Sequence, residues 1–122
     1  MSSFYRFQTK PYTLHFNKPD DVLDGYSQII VSLGQGGIEK VIKTNEDLQI
    51  DVENNNIIVD FSQEDTGLFR AGEDAELQVN IYYENTERDV SAKVTIKVLD
   101  NLHKKIMGGN NNEWRNYNDN IR

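Results

Sequence analysis

The side chains best suited to chemistry are few in this chain of 122 residues, and they do not stand in catalytic patterns. Cysteine is absent, which removes thiolate nucleophiles, thiolate metal ligands and disulfides together. The two histidines, His15 and His103, fall towards opposite ends of the chain, with no serine–carboxylate set and no metal-ligand spacing around them. A strand histidine facing solvent needs no further role, and that is the reading of His15. Asp20, Asp21 and Asp24 offer the hard oxygens that calcium takes, but not the spacing of a calcium loop, and aspartate equally favours a turn. Glu64 and Asp65 are neighbouring carboxylates that suit a helix N-terminus, where they stabilise the dipole without chemistry. Gly34-Gln35-Gly36-Gly37 has the glycines of a phosphate loop without its lysine or following helix, and reads as a turn. The expectation is a protein that is not an enzyme and has no cofactor and no metal.

Recognition is the chemistry that remains. Trp114 and Tyr117 stand three apart and would share one face of a helix, on an otherwise polar tail, Glu113–Arg122, that also carries Ile121. Phe4, Tyr5 and Phe7 repeat the theme at the other terminus. Aromatic side chains are enriched among the residues that dominate interface energetics, so these six are the expected partner-binding anchors.

Everything between the termini alternates with a period of two, the signature of half-buried strands. Tyr12, Leu14 and Phe16 alternate with Thr13 and His15, and Ile29, Val31 and Leu33 follow. Ile38, Val41 and Ile42 alternate less cleanly; Leu48, Ile50 and Val52 precede Ile57, Val59 and Phe61. The longest runs are Ala75–Tyr83 and Val90–Val98, and the total is about seven strands. Turn-forming residues separate them: Asp24-Gly25, the glycines after Leu33, Glu53-Asn54-Asn55-Asn56 and Glu84-Asn85-Thr86-Glu87. One stretch departs from the period. Ser62 followed by Asp65 three residues on predicts a capped helical turn that crosses between two sheets, with Leu68 and Phe69 closing the end of the sandwich. Asn101–Met107 predicts a second short helix.

The fold expected is therefore all-β: an antiparallel Ig-like β-sandwich of about seven strands with one short crossover helix and a polar C-terminal tail. Its domains are an N-terminal arm (1–11), the sandwich (12–107), and a flexible Gly/Asn-rich hinge with the tail (108–122). Met1–Arg6 lacks the apolar core of a signal peptide and no apolar run reaches spanning length, so the reading is a soluble protein made inside the cell, with no membrane partner. A net charge of −7 argues against a nucleic-acid partner. That charge is uneven: residues 1–19 carry three bases and no acid, residues 20–99 carry 17 acids against 6 bases, and residues 100–122 carry 4 bases against 3 acids. An acidic body between basic ends suits arms that dock on neighbouring copies.

Several segments carry a family likeness. They are Tyr12-Thr-Leu-His-Phe16, the Asp24-Gly25 turn, Ser27-Gln-Ile-Ile-Val-Ser-Leu-Gly-Gln35 and Ile57-Ile-Val-Asp-Phe61. They continue through Ser62-Gln-Glu-Asp-Thr66 with Phe69, Ala71-Gly72, Leu77-Gln-Val79 and Ala92-Lys-Val-Thr-Ile-Lys-Val98, ending near Leu102 and Ile106. In these the chain resembles small Ig-like structural proteins of phages and prophages of Gram-positive bacteria, and is similar to the N-terminal domain of phage baseplate upper proteins. The resemblance covers about Tyr12 to Met107 and leaves the tail outside. It implies a virion component (tail, baseplate, neck or capsid decoration), synthesised in the host cytoplasm, whose partners are other virion proteins and copies of itself. It brings no catalytic residue with it. Two other functions fit such a body: a carbohydrate- or surface-binding module, and an acidic DNA-mimic inhibitor of a host defence protein.

Overall fold

The computed structural model describes residues 2–17 and 21–108. Nine strands appear among them: β1 (Ser2–Tyr5), β2 (Lys10–His15), β3 (Tyr26–Gln35), β4 (Ile38–Lys43), β5 (Leu48–Asp51), β6 (Asn56–Phe61), β7 (Ala75–Tyr83), β8 (Arg88–Val90) and β9 (Val94–Leu99). A 3-10 turn, Asn45–Asp47, precedes β5, and one short helix, α1 (Gln63–Gly67), joins β6 to β7.

Period-two alternation becomes burial directly. Along β7, Ala75, Leu77, Val79 and Ile81 are buried while Glu76, Gln78 and Asn80 between them are not. Ile29, Val31 and Leu33 of β3 and Ile57, Val59 and Phe61 of β6 meet them in one core. Three hairpins keep neighbouring strands in one sheet: β3–β4, β5–β6 and β7–β8. Gly36 and Gly37 both sit at positive φ (62° and 77°), which a two-residue hairpin turn demands of both its central residues.

Of the remaining connections only β8–β9 stays within a sheet; the others change sheets. The order β1-β9-β7-β3-β4, with β8 on β7, forms a six-stranded sheet, and β2-β6-β5 faces it. With β2, β6 and β5 as strands B, E and D, and β3, β4, β7 and β9 as C, C′, F and G, this is the strand order of an immunoglobulin-like sandwich. The expected fold class holds, and so does the crossover. Ser62 Oγ accepts the Asp65 N–H (3.1 Å) while Asp65 Oδ2 accepts the Ser62 N–H (2.9 Å), a reciprocal cap at the start of α1.

Four expectations are corrected. Residues 2–5 are no arm: β1 pairs in parallel with β9, Phe4 opposite Val98, so the sandwich begins at Ser2 and one strand pair is parallel. The Val90–Val98 run is two strands, because Ser91 takes both bonds of Val79: its N–H donates to the Val79 carbonyl and its Oγ accepts the Val79 N–H, each at 2.9 Å. Asn101–Met107 forms no helix; the Met107 N–H is bound by Gln63 Oε1 (2.8 Å) and the segment follows the domain surface. Phe69 closes the core at 1% exposure, but Leu68 beside it is 55% exposed.

Candidate interaction surfaces

The six expected anchors fare differently. Phe4 is buried, its ring edge-on to Phe69 at 5.6 Å, because β1 carries it into the core. It fills its own domain and is not presented to a partner. Phe7 is half-buried at φ 64°, with the Arg6 guanidinium 5.3 Å from its ring centre. Its ring occupies the space beside Gly67, where a Cβ would stand 2.5 Å from it. Only Tyr5 of the three projects outwards. Trp114, Tyr117 and Ile121 lie outside the described residues.

The groups considered for chemistry are dispersed. His15 is exposed on β2, its Nδ1 against Asn56 Oδ1, and His103 is exposed on the C-terminal segment. The Asp24 N–H donates to the Asp21 carbonyl in a turn, and Asp20 lies outside the described residues. Among the described residues, no three potential metal ligands converge, and no helix is long and apolar enough to cross a membrane. Asp65 belongs to the α1 cap and also meets Lys43 Nζ at 2.7 Å. Burial raises the pKa of its carboxyl, but hydrogen bonds from Lys43 and Ser62 outweigh that and hold it below the usual range.

Two surfaces stand out instead. The first gathers about α1. Lys40 Nζ of edge strand β4 donates to the Leu68 carbonyl at 3.1 Å. Lys43 joins β4 to α1 through Asp65. On α1 itself, Gln63 clasps Met107 with both amide groups, donating to its carbonyl at 2.9 Å and accepting its N–H. Exposed Leu68 and Met107 thereby flank α1, and Ile106 precedes Met107; on β4, Ile38 and Ile42 are exposed as well, Ile42 on the outer face opposite Ser32.

The second is the outer face of the six-stranded sheet. Gln28, Ile30 and Ser32 of β3, Glu39 of β4, Asn80 and Tyr82 of β7, and Arg88 of β8 line a shallow trough of about 310 Å³. It continues past Ser32 and Asn80 to Gln78, Glu76 and Lys93. Arg88 Nε and Nη2 both donate to Asn80 Oδ1 (3.1 and 2.8 Å), Gln78 Nε2 donates to the Ser91 carbonyl (2.9 Å), and the Ser32 hydroxyl donates to Glu39. These polar residues are the outward partners of the buried strand positions. Alternation marks them as surface, but which of them meet depends on strand order.

Negative charge collects elsewhere. The Tyr83 hydroxyl donates to the Val22 carbonyl at 2.6 Å; burial raises its pKa, and the Asp89, Asp21 and Glu87 carboxylates raise it further.

No protein-family model matches the chain, and no curated protein does. Among solved structures, the chain is similar to the Ig-like domain of mouse leukocyte-associated immunoglobulin-like receptor 1, crystallised as a strand-swapped dimer. That likeness has 12% identity over 81% of this chain and 90% of the other, with a TM-score of 0.45. The fold assignment rests on the strand order of this chain itself.

Proposed function

We propose that this chain is a bacteriophage virion structural protein, an Ig-like module that works by assembly contacts with copies of itself and with other virion proteins. The phage setting follows from the resemblance carried by residues 12–107; the module is made in the host cytoplasm and taken into the particle. What supports an assembly role is one observation: exposed Leu68 and Met107 flank α1, which Lys40 and Lys43 tie to the edge strand β4. Clustered exposed apolar residues mark contact surfaces, and a sheet edge adds backbone groups for pairing.

Light scattering of the full-length chain tests the self-association. An oligomer that becomes a monomer in the Leu68→Lys, Met107→Lys double variant, with an unchanged melting temperature, supports the reading. A monomer at every concentration removes the contacts between copies. Mass spectrometry of phage particles purified after prophage induction from cells carrying the gene tests the setting; the chain is expected there as a stoichiometric component.

A further inference from the structure

The trough on the outer face has a chemistry that assembly about α1 does not use. We propose that it binds a neutral oligosaccharide, independently of the assembly role.

The argument starts from which atoms its polar groups leave free. A guanidinium carries only donors, so the Asn80 atom that receives both Arg88 bonds is the carbonyl oxygen. The Asn80 NH₂ is then the group left for a ligand. On the next outward position of the strand, one Gln78 N–H is spent on the Ser91 carbonyl, which fixes the carboxamide and leaves its oxygen and a second N–H. The Ser32 hydroxyl gives its proton to Glu39 and keeps its lone pairs. The Asn80 donor thus lies one same-face step along β7, roughly 6.6 Å, from the Gln78 oxygen, with the Ser32 acceptor opposite Gln78 on β3. Ligand hydroxyls, which donate and accept at once, satisfy such a set; a ligand with acceptors only or donors only does not.

Charge and apolar surface narrow the class. In a chain of net charge −7, the trough is balanced: Glu39 and Glu76 are set against Arg88 and Lys93, and Lys93 Nζ lies 3.9 Å from Glu76. An anionic ligand meets the carboxylates and a cationic one meets the bases, whereas a neutral ligand meets neither penalty. Tyr82, 41% exposed, and Ile30 supply the apolar surface on which the C–H face of a pyranose rests. The trough is open and shallow, so affinity in the millimolar range is expected.

The test is a titration of the full-length chain with chitotriose, maltotriose and cellotriose, followed by amide proton–nitrogen correlation spectra. At least one trisaccharide is expected to shift the amides of Gln28–Ser32 and Gln78–Tyr82 and to leave Tyr12–His15 on the opposite sheet unmoved. The Asn80→Ala, Tyr82→Ala double variant is expected to bind about tenfold more weakly with the same melting temperature. Absence of shifts with all three sugars, or equal binding by the double variant, overturns the proposal. So does an equal response to trigalacturonic acid, which removes the assignment of a neutral ligand.

Discussion

The buried carboxamide of Gln35 is clamped onto the backbone of Arg70: its Oε1 accepts the Arg70 N–H at 2.9 Å and its Nε2 donates to the Arg70 carbonyl at 2.8 Å. The same Nε2 also donates to the Glu73 carbonyl at 2.8 Å, so one side chain at the end of β3 fixes the loop that leads from α1 into β7. With 1% of Gln35 exposed, no solvent replaces those bonds. Gln35→Ala leaves three backbone groups without their partner and is expected to cost about 2–3 kcal/mol, measured as a fall in the urea midpoint at constant slope. Stability within 0.5 kcal/mol of wild type (roughly the span of neutral surface changes) would show that water enters the loop and takes over.

Phe4 distinguishes a strand from an arm. Its ring is packed on Phe69 inside the core, so Phe4→Ala is expected to destabilise the fold by about 3–5 kcal/mol. Tyr5→Ala, on the same strand but exposed, is expected to change stability by about 0.5 kcal/mol or less. Thermal unfolding of the two variants checks the contrast; equal melting temperatures would return residues 2–5 to a detached arm.

The contact between Phe7 and Gly67 leaves no room for a side chain. A Cβ at position 67 would stand 2.5 Å from the Phe7 ring, and Phe7 is already at φ 64°, a costly region for a bulky residue. Gly67→Ala is expected to destabilise by about 1–3 kcal/mol through overpacking. Adding Phe7→Gly relieves both the clash and the positive φ, so the double variant should recover part of the loss. Additive losses in a double-mutant cycle would rule out the coupling.

Acid is expected to act through Asp65. Its pKa is depressed in the folded state, so its contribution is present above the unfolded carboxylate pKa and is lost as the pH falls through the lower folded value. Asp51 and Asp100 are depressed as well, by hydrogen bonds from Asn54 and from Asn101 respectively as the leading causes. Stability should therefore be level from neutral pH down to about pH 5 and decline below about pH 4. Asp65→Ala removes the carboxylate half of the α1 cap and the contact with Lys43 at a cost of about 1 kcal/mol at pH 7, and its disadvantage should shrink in acid. A variant whose deficit is the same at pH 3 and pH 7 would show that Asp65 does not carry the acid response.

Local chemistry was enough for much of this architecture. Alternation along Leu77-Gln78-Val79-Asn80-Ile81 fixes which side chains enter the core, because successive strand residues face opposite ways whatever their neighbours. Gly36-Gly37, Asn55 and the Ser62–Asp65 cap act within a few residues, so their turns could be read from the chain alone. What lay beyond reach depends on partners distant in sequence. Ser2–Tyr5 is a strand only because β9, more than 90 positions away, offers it an edge. Val90–Val98 divides because Ser91 finds Val79, and Asn101–Met107 stays unwound with the Met107 N–H spent on Gln63. The outer trough is of the same kind. Alternation alone turns Gln28, Ser32, Gln78 and Asn80 away from the core; the pairing of β3 with β7 is what sets Ser32 opposite Gln78 and Gln28 opposite Tyr82 on one shared face, since register sums contacts over the whole sheet and is written in no single segment.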